Sequence, residues 1–287
     1  MNSAEKGAGW FRSLMIGPSL LWLLLFLALP LLLVAAISFM TRGTYGGLIY
    51  NFSLSSYLML LDSLYATIMA RSLWMATATT VFCLAAGYPL AAFIAASGPN
   101  RRHWLLMLVV IPFCINFLIR TYAWMALLRS GGIINHLLLA SGLISSPLTM
   151  LYTPGAALLG LVYAFLPFAV LPIYASLERL DQRLVEAATD LGARGRQVFW
   201  RVVLPMAAPG IAAGALLVFI PTLGMFVITD LMGGARTMLI GNLIQNQFMA
   251  ARNWPLGSAA SMVLLLTVLA GLWAYRKLFP NGGLGDV

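Results

Sequence analysis

The stretch Glu178–Pro205 reads ERLDQRLVEAATDLGARGRQVFWRVVLP and mixes five arginines with four acidic residues. It stands between two apolar runs without a charged residue, Gly155–Leu177 and Gly210–Thr229. A helix needs about 20 apolar residues to cross the hydrocarbon core of a bilayer, because no water is present there to pair with its backbone. The charged stretch is therefore predicted to be a short, water-exposed connection between two membrane spans.

The composition of the whole chain agrees with a membrane protein. Of the 287 residues, 61% are hydrophobic and 9% are charged, and the mean hydropathy is +0.92. A soluble domain carries about 25% charged residues, so the composition excludes a soluble enzyme, a disordered chain and a coiled-coil rod. Cys83 and Cys114 both lie in apolar runs, which argues against a disulfide framework and a cysteine metal site. We expect no bound metal.

Further apolar runs predict four more spans. The first run is too long for the hydrophobic region of a signal peptide, which holds about 7–15 residues, so we interpret it as a retained helix. The four runs are Leu14–Met40, Ser72–Ser97, Trp104–Trp124 and Gly257–Tyr275. The predicted fold is an all-α membrane protein with six transmembrane helices.

The basic residues predict the orientation of these spans. The net charge is +9, with 17 Lys and Arg against 8 Asp and Glu. Cytoplasmic loops of membrane proteins carry an excess of Lys and Arg. An N-terminus in the cytoplasm puts eleven of the 17 on that side: Lys6, Arg12, Arg101, Arg102, Arg179, Arg183, Arg194, Arg196, Arg201, Arg276 and Lys277. Both termini are therefore predicted to be cytoplasmic.

The charged stretch has its own predicted structure. Gln182–Leu191 fits a short helix with Leu184, Ala187, Ala188 and Leu191 on one side. Gly192 follows where a helix ends in the left-handed conformation that glycine adopts most easily. A second helix is expected from Arg194 to Val203, stopped by Pro205. The resulting helix–Gly–helix forms a small charged knob of a shape that a soluble partner can hold.

This stretch resembles the EAA loop of binding-protein-dependent ABC importer permeases. The family pattern is Glu-Ala-Ala, three residues, Gly, nine residues, Ile, one residue and Leu-Pro. Here it falls on Glu186, Ala187, Ala188, Gly192, Val202 (in place of Ile), Leu204 and Pro205. The resemblance covers roughly Ala66 to Tyr275. It implies a type I ABC importer permease fold whose loop couples the spans to a cytoplasmic ATPase, with Glu186 and Gly192 the least tolerant of change.

The same resemblance implies what the chain does not do itself. The sequence has no G-x-x-x-x-G-K-[ST] phosphate loop. We therefore expect that the chain is not an enzyme and binds no cofactor, and that ATP and Mg are held by the partner ATPase. The implied partners are a second, similar permease subunit, two ATPase subunits and a periplasmic solute-binding protein, and the implied location is the bacterial inner membrane.

Other stretches are similar to the spermidine/putrescine permease family. In chain order they are Gly87-Tyr88-Pro89, Ile119–Tyr122, Gly160–Tyr163, Leu166–Phe168, Asp230–Ala235, Leu239–Asn242 and Arg252–Pro255. The similarity implies a polyamine cargo. Related permeases carry opines, amino-acid-like solutes or phosphonates on similar scaffolds, so another small solute stays open.

The resemblance and the spans together suggest a division of the chain. The N-terminal segment, 1–65, holds the first helix (14–40) and an outer loop. The transport core, 66–276, holds a cytoplasmic coupling loop, 178–209, and the helices 72–97, 104–124, 155–177, 210–229 and 257–275. A cytoplasmic tail, 277–287, follows.

Acidic and polar residues near the membrane are the first candidates for a pathway. Asp62 and Asp230 are the only acids outside the predicted cytoplasmic segments. Asp230 is our first choice for a cargo contact or gate, since ionisable groups at membrane depth are functional candidates. Arg120 is predicted at a similar depth, so a structural Arg120–Asp230 ion pair is an equal alternative. Asn116, polar and in mid-span, is a further candidate.

Aromatic rings can also hold a polycation, because each cation–π contact contributes about 0.5–2 kcal/mol. The candidates in the spans are Phe113, Tyr122, Trp124, Tyr163, Phe165, Phe219 and Phe226. From these we select Phe113, Tyr122, Trp124 and Phe226 for the pathway or gate. Two other classes stay open: a secondary transporter, which usually shows coupling acids and inverted repeats, and an assembly subunit without a pathway.

Overall fold

The computed structural model describes residues 15–43 and 46–278, without the side chains of Gln182, Ala235, Arg236, Ala274 and Leu278. In this part of the chain, six helical stretches are long and apolar enough to cross a membrane: Met15–Ser38, Ser63–Ala95, Phe117–Ala140, Pro154–Glu178, Gly195–Gly224 and Trp254–Lys277. The predicted all-α fold with six spans is confirmed. Lys6, Arg12, Leu14 and residues 279–287 lie outside the described residues.

We number the elements in chain order. The helices are α1 (Met15–Ser38), α2 (Ser55–Leu60), α3 (Ser63–Ala95), α4 (Pro99–Cys114), α5 (Phe117–Leu128), α6 (Ile133–Ala140), α7 (Pro154–Glu178), α8 (Gln182–Asp190), α9 (Gly195–Gly224), α10 (Ile240–Met249) and α11 (Trp254–Leu278). A π-helical turn, Thr229–Gly233, and a 3₁₀ turn, Gly234–Thr237, join α9 to α10. Strands β1 (Thr41–Arg42) and β2 (Leu48–Ile49) form an antiparallel hairpin that pairs Thr41 with Ile49.

The described residues form two compact units. One combines those of Met1–Tyr65 with Ile244–Leu266, and the other combines Ala66–Leu243 with those of Thr267–Val287. The predicted division of the chain at residue 65 stays a prediction.

The smaller unit is held by contacts around the hairpin. Phe39 stacks on Phe52 with ring centroids 5.4 Å apart, and the Arg42 guanidinium donates to the carbonyl of Ala251 at 2.9 Å. The large apolar side chains of α1 are exposed. A helix that is apolar all round is suited to lipid or to a protein partner within the bilayer.

The larger unit is built on close packing between α3, α7 and α9. An ideal Cβ at Gly210 would lie 2.4 Å from the carbonyl oxygen of Pro172, and one at Gly214 would lie 3.2 Å from the Cα of Ala169. On α3, a Cβ at Gly87 would lie 3.3 Å from the Cβ of the same Ala169. Small residues of this kind let membrane helices approach closely, where burial from water supplies no driving force.

Three predicted spans agree closely with the helices and one begins earlier than expected. The first, fourth and sixth predicted spans correspond to α1, α7 and α11 within a few residues at each end. The second was expected from Ser72, but α3 begins at Ser63. At this start Asp62 Oδ1 accepts a hydrogen bond from the Ser63 amide at 2.7 Å, which satisfies an amide of the first turn.

The predicted third span, 104–124, is wrong as one helix. Helix α4 ends at Cys114, Ile115 is extended with ψ 138°, and α5 starts at Phe117. Pro112 in the last turn of α4 has no N–H to continue the ladder. Asn116 then starts a new helix, because its side-chain oxygen accepts from the Leu118 amide at 2.8 Å.

The predicted helix stop at Pro205 is also wrong. Helix α9 runs unbroken from Gly195 to Gly224 and contains a π-helical turn at Phe199–Val203. The Leu204 amide donates five residues back, to the carbonyl of Phe199. The wider turn directly precedes Pro205, whose ring in an ideal α-turn would crowd the carbonyl four residues earlier.

The fifth span also ends earlier than predicted, at Gly224 instead of Thr229. Met225 is extended with ψ 115°. Helical structure resumes just beyond it and leads into the π-helical turn that carries Asp230. Asp230 therefore lies on a separate turn beyond a break in the chain, not on a continuation of α9.

Candidate coupling loop and membrane site

The coupling loop is defined by its own local hydrogen bonds. Asp181 caps the start of α8, since its Oδ1 accepts from the Arg183 amide at 3.0 Å. At the other end Gly192 has a φ of +81°. The amide of Gly192 donates to Thr189 at 2.9 Å and that of Ala193 to Ala188 at 3.1 Å, the two bonds of a Schellman motif. The predicted helix and the predicted left-handed glycine are confirmed.

Helix α9 begins immediately after this motif. The Arg194 amide donates to the side-chain oxygen of Gln197 at 2.8 Å, which caps the new helix from within its first turn. Gly192 thus stands between two capped helix ends, and the angle between α8 and α9 depends on its conformation.

The loop leaves apolar side chains in contact with solvent. Leu191 is 89% exposed, and Leu184 and Trp200 are also exposed, whereas Val198 is buried. Glu186 and Ala187 lie on the exposed surface of α8. A groove of about 390 Å³ lies between the two helices and is lined by Ala188, Leu191, Gly192, Ala193, Gln197, Val198, Arg201 and Val202. Exposed apolar residues on a charged knob mark a surface that a protein partner covers.

The predicted loop residues are only partly assembled in this groove. Ala188, Gly192 and Val202 line it, and Glu186 and Ala187 lie on the same short helix. Leu204 and Pro205 belong to α9, one turn further along. They directly follow the π-helical turn Phe199–Val203.

An ion pair that the sequence analysis missed ties the loop to the bundle. Arg102 Nη1 lies 2.9 Å from Glu178 Oε1, and Arg102 Nη2 donates to the carbonyl of Ala95 at 3.0 Å. The pair therefore joins the last residue of α7 to α4 and to the end of α3. From sequence, the only signal for this pair is that Arg102 and Glu178 both lie in short charged connections between apolar runs.

Asp230 lies at the opposite end of α7 from the coupling loop. The amide of Tyr152, just before α7, donates to the carbonyl of Met232 at 2.9 Å. The sulfur of Met232 occupies the space beside Gly160, 2.5 Å from an ideal Cβ. Helix α7 has 25 residues and is about 37 Å long at 1.5 Å per residue. The two predicted sites are therefore separated by the length of a membrane span.

Asp230 is exposed, and one of its carboxylate oxygens is held by Asn242. The amide nitrogen of Asn242 donates to Asp230 Oδ1 and to the carbonyl of Phe226 at 3.0 Å. The Asn242 side-chain oxygen accepts from the Thr229 hydroxyl at 2.9 Å and from the Leu239 amide at 3.1 Å. Asn242 is only 4% exposed, and all four of its hydrogen-bonding positions are used.

From sequence, Asn242 stands only within a stretch similar to the family, and its role in this network is not predicted. One signal was available: an asparagine three residues after Leu239, at the start of a helix, is suited to bond the local backbone. The contacts with Phe226, Thr229 and Asp230 depend on tertiary structure.

The alternative Arg120–Asp230 ion pair is not formed. Among the side chains that the structure describes, the one ion pair is that of Arg102 with Glu178. The Arg120 guanidinium carbon lies 5.8 Å from the ring centroid of Tyr163, and its buried Nε has no hydrogen-bond partner among the described residues. The Arg120 guanidinium lies over an aromatic ring and Asp230 is held by an amide, so the two side chains are not paired with each other.

The other predicted pathway residues fall into separate places. The ring of Trp124 meets Tyr163 edge-on at 5.5 Å, which joins Trp124 to the Arg120 contact. Phe113 instead packs edge-on against Phe168 at 5.1 Å. Tyr122 is exposed, and Phe226 belongs to the Asn242 network through its carbonyl. Asn116 caps α5 and is exposed, not buried as a mid-span amide would be.

Comparison with known proteins decides the family. The model of the family described as "Binding-protein-dependent transport system inner membrane component" matches residues 87–280. The chain belongs to this family. It is a multi-pass inner-membrane permease of an ABC importer, and ATP hydrolysis is carried out by a separate subunit. The alternative of a secondary transporter is wrong.

The permease has relatives along nearly its whole length. It is 43% identical over 267 residues to the spermidine/putrescine transport system permease protein PotB of Haemophilus influenzae, which covers 93% of each chain. It is 45% identical over 251 residues to PotB of Escherichia coli K12, covering 88% of this permease and 90% of that protein. The predicted resemblance to the spermidine/putrescine permease family is confirmed.

Solved structures agree on the fold. A bacterial alginate ABC transporter in complex with an alginate pentasaccharide-bound periplasmic protein contains a chain that superposes with a TM-score of 0.75, at 18% identity and 96% coverage of both chains. The MetNI methionine ABC transporter gives a TM-score of 0.56 over 78% of this permease. The type I permease fold is therefore confirmed, while the orientation of the termini and the roles of the individual site residues stay predictions.

Proposed function

We propose that this permease forms half of the pathway of an ATP-driven importer of spermidine and putrescine. The observation that carries the proposal is the 43–45% identity, along about nine-tenths of the chain, to permeases named for spermidine and putrescine transport. The partners in this proposal are a second permease of the same fold, two ATPases that hold ATP and Mg, and a periplasmic binding protein that delivers the cargo. Both termini and the coupling loop face the cytoplasm.

The chemistry of the Asp230 end supports a cationic cargo. Asp230 offers an exposed carboxylate, and only one of its oxygens is held by Asn242. The aromatic cluster of Tyr163 and Trp124 already binds a cation, the guanidinium of Arg120. Gly160, which packs against Met232 of the Asp230 turn, stands one helical turn from Tyr163 on α7. An exposed carboxylate suits an ammonium group of a polyamine, and the cation already held by Tyr163 shows that aromatic rings at this end can bind one.

The shape of α9 supports coupling between the two ends. Helix α9 has 30 residues without a break, so it extends about 45 Å. It begins at the groove of the coupling loop and ends at the break before the Asp230 turn. When the ATPases close on ATP, a displacement of the α8–α9 knob is passed along α9 and shifts the permease between inward-open and outward-open states.

The proposal is tested by ATP hydrolysis of the reconstituted complex. Permease pair, ATPases and binding protein are assembled in lipid nanodiscs, and hydrolysis is measured with putrescine, with spermidine, and with neutral and anionic solutes of similar size. Stimulation by the polyamines alone is expected. Stimulation by a different solute class overturns the cargo while keeping the importer, and failure of an ATPase to copurify with the permease overturns the coupling.

A further inference from the structure

Asn242 is unusual among the buried polar groups of this permease because it serves both the backbone and a charged side chain. It ties the carbonyl of Phe226, before the Asp230 turn, to the amide of Leu239, after it. Its second N–H points at the carboxylate of Asp230. The amide thus bridges the ends of the segment that carries Asp230 and holds the acid itself.

We infer that Asn242 is a positioning residue for cargo transport, which fixes the Asp230 carboxylate so that its second oxygen faces the cationic cargo. The inference rests on the proposed function and adds a residue to it. An exposed aspartate without such a tether samples several rotamers. A carboxylate that is already oriented avoids the ordering cost when an ammonium group arrives.

An amide is the group that this position requires. Asparagine supplies two N–H donors and an oxygen with two acceptor sites, and the four partners use all of them. Aspartate keeps both acceptor contacts but loses both donors, and it sets a second negative charge against Asp230. Alanine removes all four contacts and leaves the Leu239 amide without the acceptor that it has here. The residue that holds Asp230 is therefore specified by chemistry and not by size alone.

A purely structural role is the rival explanation, and Asn135 supplies the matched control. Asn135 is fully buried; its side chain donates to the carbonyls of Arg129 and Leu148 and accepts from the amide of Leu148. Its three partners are all backbone groups. Loss of Asn135 removes a buried amide of similar bonding without touching Asp230.

The test is a double-mutant cycle on transport. Proteoliposomes loaded with ATP take up radiolabelled spermidine, which is delivered by spermidine-loaded binding protein. The kcat and the KM for the loaded binding protein are measured for wild type, Asn242→Ala, Asp230→Asn and the double variant. If Asn242 acts through Asp230, each single substitution lowers kcat by about tenfold or more, the size expected when a hydrogen bond to a charged group is lost. The double variant is then no slower than Asp230→Asn, and KM stays unchanged throughout.

Additive losses in the double variant overturn the inference, since independent sites contribute independently. The cycle of Asn135→Ala with Asp230→Asn is expected to be additive, and it shows how additive losses look in this assay.

If Asn242→Ala does not assemble, Asn242→Asp takes its place. Combined with Asp230→Asn it restores a hydrogen bond between the two positions with the charge moved to the buried site. Recovery of transport in this swapped pair also overturns the inference, because pairing alone would then suffice.

Failure of the proposed function looks different. Wild-type proteoliposomes that do not take up spermidine overturn the cargo. Wild-type uptake that is unaffected by Asp230→Asn overturns the role of Asp230 in the pathway, and the positioning role falls with it. Only additivity, or rescue by the swapped pair, removes the role of Asn242 while the importer and Asp230 stand.

Discussion

The two ends of α9 are held in different ways. Where α9 begins, the defining contacts are local: Asp181 bonds Arg183, Ala193 bonds Ala188 and Arg194 bonds Gln197. Beyond its other end, Asn242 reaches Asp230 and Phe226, which are 12 and 16 residues away along the chain. Because these bonds lie within the knob, it can move as one piece without breaking them. The Asp230 turn keeps its shape only while α10 stays in place, so a movement there changes the site itself.

The largest effect is expected from Gly192→Val, at the locally bonded end of α9. A β-branched residue at φ +81° is strongly disfavoured, although no described atom lies within 4 Å of an ideal Cβ at this position. The cost therefore falls on the turn between α8 and α9. We expect normal membrane insertion but a loss of spermidine-stimulated ATP hydrolysis of tenfold or more, on the order of 1–2 kcal/mol in the turn.

Gly195→Ala is the control for the substitution at Gly192. Gly195 also has open space around its ideal Cβ, but its φ is not positive. Alanine there is expected to leave coupling unchanged. Normal cargo-stimulated hydrolysis in Gly192→Val would show that the turn is not needed for coupling.

The next largest effect is expected from Asp230→Asn. The substitution keeps the size of the side chain and removes the charge, so uptake of spermidine is expected to fall by about tenfold. Assembly with the partner subunits, measured by size-exclusion chromatography, is expected to stay close to wild type. Equal losses in uptake and assembly would make Asp230 a structural residue.

A smaller effect, on stability, is expected from Gly241→Ala. An ideal Cβ at Gly241 would lie 2.7 Å from the carbonyl oxygen of Gly224, a backbone atom at the end of α9. We expect a loss of about 1–3 kcal/mol, the usual cost of overpacking, seen as a lower thermal unfolding temperature of the purified complex. Gly98→Ala, where no described atom lies within 4 Å, is the control and is expected to be neutral or slightly stabilising. An equal change of the unfolding temperature in both variants would contradict the view that packing between Gly241 and α9 stabilises this end.

The smallest effect is expected from Glu178→Gln. The Arg102–Glu178 pair is partly exposed, with 30% and 44% of the two side chains accessible. Such pairs contribute about 0–1 kcal/mol, and salt screens them. We expect a slight loss of thermal stability that disappears at high ionic strength. A loss that persists at about 1 M salt would mean that the pair is shielded in the assembled transporter.

The difference between the two ends also explains which features could be predicted from sequence and which could not. The helix before Gly192 and the glycine itself were predictable because apolar spacing and left-handed glycine act within a few residues. The end of the second loop helix was not, since a π-helical turn lets α9 continue through Pro205. The break at Asn116 had local signals in Pro112 and the asparagine, but the long apolar run obscured them. The Asn242 network joins residues from separate elements, and no pattern in a single sequence brings those together.

The π-helical turn at Phe199–Val203 has a mechanical consequence. It holds one residue more than an α-turn, so a change to α geometry would advance one side of α9 by about 1.5 Å and rotate it by about 100° relative to the other side. Such a screw motion would turn the coupling end without bending the helix. The ring of Pro205 opposes it, because the narrower turn would bring back the clash with the preceding carbonyl. The proline that was expected to stop the helix thus stands beside the one turn of α9 whose geometry sets the angle between the coupling end and the rest of the helix.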